Sequence, residues 1–258
     1  MSLSEDQLKR YNRHILLKEF GTEGQTKIAE AKVLVIGSGG LGSPTLLYLA
    51  AAGIGTIGIA DGDQLDVSNL QRQIIHSTPD IGRSKVESAG DRINALNPHV
   101  NLNLIPGEIK AHNILSVIKD YDFVIDGTDN FSSKFLINDA CVLSGKPFVH
   151  SGVLRFHGQI ITVVPPSSAC YRCIFIEAPT EGTVPSCSRV GVLGTVPGIL
   201  GTMQATECIK YIIGKGDLLT NRLLVFDAFT MTFNEVKINK NPNCPVCGKN
   251  PSITKPED

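Results

Sequence analysis

Three constellations in this chain carry residue types that do chemistry. The first is the loop Gly37-Ser38-Gly39-Gly40-Leu41-Gly42, set between a short apolar run, Val33 to Ile36, and a helical segment, Leu41 to Ala52. In that setting Gly37 allows a tight turn and Gly39 lets backbone approach a phosphate. Gly42 lets the helix pack closely on the strand, and the helix N-terminus attracts the anion. Asp61 follows Gly39 by 22 residues, at the end of the next expected strand, where a carboxylate accepts hydrogen bonds from ribose hydroxyls. The second constellation is Asn69 and Arg72 in SNLQRQ, Lys85 in the first turn of an expected helix, and Asp129 in DGTDN. Two cations and an acid near the carboxyl ends of parallel strands suit a triphosphate with Mg²⁺, whereas a dinucleotide needs little beyond the glycine loop and Asp61. Taken singly, Arg72 and Lys85 read as solvated surface charges and Asp129 as an acid favoured at a helix N-terminus.

The third constellation is sulfur. The chain has seven cysteines, an awkward number for disulfide pairing, and four of them form Cys170-Tyr-Arg-Cys173 and Cys244-Pro-Val-Cys247. Two CxxC pairs complete a closed tetrahedral Cys₄ zinc site if they converge. The gap between them is longer than in a zinc finger, so two separate dithiols or a redox pair are the alternatives. Neither pair opens a helix after a strand as a thioredoxin motif does, which favours structural zinc that pins the C-terminal tail. Cys141 and Cys208 lie in apolar helical stretches and read as buried small hydrophobes. Cys187 sits in the polar, proline-containing stretch TVPSCSRVGV two residues before Arg189. A thiol beside a cation is either a nucleophile for covalent sulfur chemistry or an accessible, dispensable group. The six histidines show no ligand spacing, and His76 reads as a hydrogen-bonded structural side chain.

The elements that must position these groups follow from periodicity. Ser4 and Gln7 have capping-box spacing ahead of Leu8, Tyr11 and Ile15, which predicts an N-terminal helix. Strands are expected at Val33–Ile36, Thr56–Ala60, Val100–Ile105 and Phe123–Asp126. Helices are expected at Leu41–Ala52, Ser84–Leu96 with a Ser84/Glu87 capping box, about 113–119, and Phe131–Leu143. This alternation predicts an α/β protein with a Rossmann-like, doubly wound, mainly parallel sheet. Beyond residue 150, Leu154–Val164 and Leu223–Val236 read as antiparallel β material around a long apolar helix, Pro197–Ile213. One domain over 1–258 is expected, with a nucleotide-binding half (1–150) and a mixed β/α half (151–258) that carries the Cys₄ site. With 24 basic against 25 acidic residues, a broad nucleic-acid surface or polybasic membrane patch is disfavoured. There is no apolar run of membrane-spanning length and no signal-peptide core at MSLSEDQLKR, so a cytoplasmic protein is expected.

RYNRHILL, GSGGLGSP, the acidic pair Asp61 and Asp63, SNLQRQ, GRSKVES, IDGTDN, CYRC and CPVC occur in this order from Arg10 to Cys247. Together they resemble the ThiF/MoeB family, bacterial relatives of ubiquitin-activating enzymes. The resemblance implies ATP-dependent adenylation of the C-terminal glycine of a small ubiquitin-like sulfur-carrier protein ending in Gly-Gly, in molybdopterin or thiazole biosynthesis. It implies that Gly37, Gly39, Gly40, Gly42, Asp61, Asp63, Asn69, Arg72, Gln73 and Lys85 bind the nucleotide, Asp61 at the ribose and Arg72 and Lys85 at the phosphates. Asp129 would hold Mg²⁺, and Cys170, Cys173, Cys244 and Cys247 would hold Zn²⁺. Arg13 matches an arginine donated into a neighbouring subunit's site, which implies a homodimer, and Cys187 matches a cysteine that some members use covalently. A sulfur donor such as a cysteine desulfurase would act with it. As the chain ends soon after CPVC, the rhodanese domain of some eukaryotic relatives is expected to be absent. Three other readings compete: a tRNA-modifying adenylate-forming dehydratase of the same fold, a nicotinamide-dependent dehydrogenase, and a non-catalytic partner half. The balanced charge argues against the first. The second leaves Arg72, Lys85 and Asp129 idle, and the third should lack nucleotide-site residues that are present here.

Overall fold

The computed structural model describes residues 3–179 and 190–257; Cys187 and Arg189 lie outside the described residues. Five strands, Lys32–Ile36 (β1), Thr56–Asp61 (β2), Asn101–Pro106 (β3), Phe123–Asp126 (β4) and Phe148–Leu154 (β5), pair in parallel. His157–Val163 (β6), Arg222–Asp227 (β7) and Thr232–Lys237 (β8) continue the same sheet antiparallel, in the order β3-β2-β1-β4-β5-β6-β7-β8. The α/β sheet is therefore parallel where the helical crossovers were expected and antiparallel where alternating apolar runs replace them. β1 and β4 are continuous apolar runs because helices cover both of their faces.

Helices Glu5–Arg10 (α1), Asn12–Ile15 (α2), Gly21–Glu30 (α3), Gly42–Ala52 (α4) and Lys85–Leu96 (α5) precede Ile114–Ile118 (α6), Phe131–Leu143 (α7), Tyr171–Ile174 (α8) and Thr195–Ile213 (α9). One core cluster joins Val33 and Val35 of β1 to Ile28 of α3, Leu46 and Leu49 of α4, Ile93 of α5 and Leu200 of α9. The other joins Leu34 and Ile36 to Ile114 of α6, Leu136 and Ile137 of α7, and Cys170, Cys244 and Val246. This in–out alternation along β1 is the period-2 rule applied to a strand buried on both faces. No helix among the described residues is long and apolar enough to cross a membrane.

Three local expectations change. The N-terminal helix has its Ser4/Gln7 capping box but breaks at Tyr11. The buried Tyr11 side chain turns inward, where its hydroxyl accepts a 2.8 Å bond from Asn97 Nδ2. Ser84 stands at the start of α5 but makes no side-chain cap bond, since its backbone bridges to Gln64 and the Lys85 N–H donates to the Asp63 carbonyl instead. The third change is α3, whose sequence GTEGQTKIAE carries too few apolar residues to announce a helix.

Candidate functional site

Strand order reverses between β1 and β4, so their carboxyl ends diverge into a crevice of the kind that binds ligands in open α/β sheets. The loops leaving the two strands touch through backbone. A Cβ on Gly37 (φ +93°) would stand 2.8 Å from the Gly127 carbonyl oxygen, and one on Gly127 would stand 2.7 Å from that of Gly37. The Gly37 carbonyl also blocks any side chain at Gly42, where α4 begins. No side chain caps α4, which leaves the positive end of its dipole to an anion. Beneath this floor, His76 holds the loop, with Nε2 3.2 Å from the Ser38 carbonyl and Nδ1 2.8 Å from Ser88 Oγ. Burial pushes its pKa down, so the expected structural histidine is neutral here.

The crevice is a cleft of about 320 Å³, walled by Gly37, Gly39, Gly40, Asp61, Asp63, Arg72, Gln73, Lys85 and Asp129 among others. Asp61 Oδ2 accepts from the Ser38 amide (2.8 Å) and hydroxyl (2.9 Å), and its Oδ1 accepts from the Asp63 amide at 2.9 Å. The carboxylate is thereby fixed at the end of β2 with lone pairs left for a sugar. Lys85, nearly buried, places Nζ 2.6 Å from Asp63 Oδ2, and Arg72 donates to the Ser68 carbonyl at 3.2 Å. Glu108 and Lys110, beyond β3, complete the charged rim. Three expected residues are not on the cleft wall, the first being Gly42, whose place is the close packing against the Gly37 carbonyl. Asn69 is not on the cleft wall, because its side-chain oxygen accepts from the Asp66 amide in a capping box. Arg13 is exposed on α2, away from its own chain's cleft.

A second chamber of about 380 Å³ opens beside the first, and Asp129, Asn130 and Val153 belong to the walls of both. Its walls are mostly apolar or glycine: Phe131, Gly152, Leu154, Gly158 and Tyr171. At its base lies a charged group that periodicity could not reveal. Asp126, fully buried at the end of β4, has Oδ2 3.2 Å from Lys134 Nζ and 2.6 Å from His150 Nδ1, while its Oδ1 accepts from Thr128 N and Oγ1. Lys134 also donates to the Ser151 carbonyl at 2.5 Å. Burial alone would raise the Asp126 pKa, yet the Lys134 charge and the close contacts of His150 and Thr128 hold it far below the carboxylate range. Burial and the Lys134 charge push the His150 pKa down against the opposing pull of Asp126. Asp126 is ionised, Lys134 is its counter-charge, and His150 is neutral.

The two CxxC pairs converge. The four Sγ atoms of Cys170, Cys173, Cys244 and Cys247 lie within 4.8 Å of one another, with contacts of 3.6 Å (170–244), 3.4 Å (173–247) and 4.0 Å (170–173). Four sulfurs around a zinc ion at about 2.3 Å stand about 3.8 Å apart, so this donor set fits a closed tetrahedral metal site. Cys141 and Cys208 are fully buried, and burial raises both thiol pKa values.

Against known proteins, the chain is 45% identical to the SAMP-activating enzyme E1 of Haloferax volcanii over 96% of this chain and 92% of that one. It is 40% identical to the sulfur carrier protein adenylyltransferase of Thermus thermophilus, over 98% of this chain and 95% of that one. Among solved structures, E. coli MccB shares the fold at a TM-score of 0.84 and 24% identity, over 97% of this chain and 75% of that one. The ThiF family model matches residues 11–246, and with these relatives it establishes that the chain belongs to the ThiF family.

Proposed function

We propose that this chain adenylates the C-terminal glycine carboxylate of a small ubiquitin-like sulfur carrier, at the expense of ATP. The observation that carries this reading is the junction at Asp129, where a cleft walled by Arg72 and Lys85 meets a mostly apolar chamber. The glycine loop and Asp61 seat the nucleoside, and Arg72 and Lys85 face its phosphates. A Gly-Gly tail is thin enough to pass Gly152 and Gly158. A carboxylate oxygen then bonds to the α-phosphorus while the bond from that phosphorus to the bridging oxygen breaks, releasing pyrophosphate and leaving an acyl adenylate. The chain's task is to bring two anions together and offset their charge, by placement and fixed cations.

Asp129 presents an exposed carboxylate of the kind that binds Mg²⁺ together with phosphate oxygens. When bound, Mg²⁺ neutralises phosphate charge. Zn²⁺ in the thiolate cluster is structural, tying the tail that follows β8 to α8 and the body. Arg13, exposed and away from its own cleft, is supplied to the neighbouring subunit of a homodimer. The enzyme works in the cytoplasm, upstream of sulfur transfer from a donor such as a cysteine desulfurase, in molybdenum cofactor or thiamine biosynthesis. Cys187 serves there as a sulfur relay or is dispensable, and retention of sulfur transfer by Cys187→Ala decides for the second. The test of the central reading is ATP–pyrophosphate exchange against purified carriers ending in Gly-Gly. Exchange that depends on one of them is expected, and silence with all of them refutes the reading.

A further inference from the structure

Tyr171 and Arg172 stand between Cys170 and Cys173, and both grip α7. The Tyr171 amide donates to Asn138 Oδ1 at 2.9 Å. Arg172 forks onto Asp139, with Nε 2.7 Å from Oδ1 and Nη2 2.8 Å from Oδ2, and its guanidinium lies 4.6 Å from the centre of the Phe135 ring. The buried Tyr171 ring lies tilted, 4.1 Å from that of His150, and packs on Phe135 at 5.1 Å. The same ring is part of the wall of the second chamber. On α7, Phe135, Asn138 and Asp139 follow Lys134 and the Asn130 cap, so the helix held by α8 is the one that presents the junction between cleft and chamber. A four-residue helix has too few internal bonds to hold its own position. Cys170 precedes it and Cys173 lies one residue before its end, and its first residue, Tyr171, is a chamber wall.

We propose that Tyr171 and Arg172 are positioning residues that carry the geometry of the thiolate cluster to the second chamber, so that metal occupancy sets how firmly the chamber holds the end of the protein substrate. The proposal rests on the reading of that chamber as the seat of the carrier tail. The carrier end is affected more than the nucleotide, because Tyr171 is part of the chamber wall and neither residue belongs to the wall of the cleft, to which α7 contributes Ser132, Ser133, Leu136 and Ile137. Coupling of this kind is the usual role of groups that orient metal ligands, here read in the opposite direction, from the ligands outward.

The test compares the zinc-loaded wild type with Tyr171→Leu, Arg172→Ala and the ring-preserving Tyr171→Phe. Readouts are zinc content, hydrogen exchange by peptide, and separate KM values for ATP and carrier. Tyr171→Leu and Arg172→Ala are expected to keep their zinc and to exchange faster in peptides covering 129–139 and 150–158, with 36–42 and 56–63 unchanged. The carrier KM rises about tenfold while the ATP KM rises much less, and Tyr171→Phe matches the wild type. Wild-type protein stripped of zinc shows the same localised exchange, which covers the case of a variant that loses its metal. Unchanged exchange at 129–139 in the variants and in the stripped protein overturns the proposal. So does an ATP KM that climbs in step with the carrier KM. A wild type that responds to no carrier refutes the functional reading instead, and hydrogen exchange still decides the coupling.

Discussion

Replacing Lys134 by Met tests whether the Asp126–Lys134–His150 group is the foundation of the site. Met keeps most of the length and apolar stem of Lys and removes the charge. The two charges lie 3.2 Å apart with both side chains buried, which at an effective dielectric of 20 corresponds to a pair attraction of about 5 kcal/mol. Lys134 also gives up its bond to the Ser151 carbonyl, while the Met side chain recovers part of the loss by apolar burial. Removing one partner from a buried pair costs about 3–5 kcal/mol, so a fall in Tm on the order of 10 °C is expected for a chain of this size. The deficit depends on pH. Without the Lys134 charge, the His150 pKa rises under the unbalanced pull of Asp126, and protonated His150 takes over as counter-charge. The variant therefore regains ground relative to wild type as pH falls below about 6.5. Urea titrations of wild type, Lys134→Met, Asp126→Asn and the double variant from pH 5 to 8 measure this. The double variant should cost less than the sum of the singles by about 2 kcal/mol. A Lys134→Met cost below about 1 kcal/mol, or additivity across the cycle, refutes the reasoning.

Four further outcomes are expected. Lys85→Ala and Arg72→Ala should each lower carrier-dependent pyrophosphate exchange by about 100-fold or more and barely change Tm, since the Asp63 partner of Lys85 is exposed. Co-expressed Arg13→Ala and Lys85→Ala chains should recover exchange that neither has alone, up to about a quarter of wild type, because half the dimers are mixed and each holds one intact site; no recovery rules out donation in trans. In the wild type, His76 and His150 have lowered folded pKa values, so their stability contribution is complete above about 6.5 and is lost as pH falls through that value. A urea midpoint that rises on acidification from pH 7 to 5.5 contradicts this. Titration of the thiols with a mercurial should release one zinc per chain, and metal analysis finding none refutes the Cys₄ assignment.

The parts of the site legible in the sequence were those written in local order. β1, the glycine turn and α4 are consecutive, so one periodicity change and the Gly37–Gly42 spacing announce them, and Asp61 follows at the end of the next strand. The CxxC pairs were legible as dithiols, but their convergence depends on where β7 and β8 return the tail. Asp126, Lys134 and His150 were hidden because they come from β4, α7 and β5, where each looks like an ordinary element residue. Tyr171 was masked by the cysteines on either side. Asn69 is a different case: its motif position pointed to the phosphates, and its side-chain oxygen accepts from the Asp66 amide through a contact three residues long. A cue for the hidden triad did exist, since an aspartate closing an apolar strand and a lysine inside an apolar helix each require a buried partner.

The contact of Gly37 with Gly127 has a thermodynamic meaning for nucleotide recognition. Because the two loops rest on each other's backbone, neither can be reshaped without displacing the other, and the floor is set when the sheet folds. The entropy of ordering it is spent during folding, and ATP arrives at a surface already in its binding form. Nucleotide association should then proceed without slow rearrangement of residues 37–42. On the proposed reading, the cleft that would receive the phosphates is the rigid part of this site, because the Gly37 and Gly127 loops meet there.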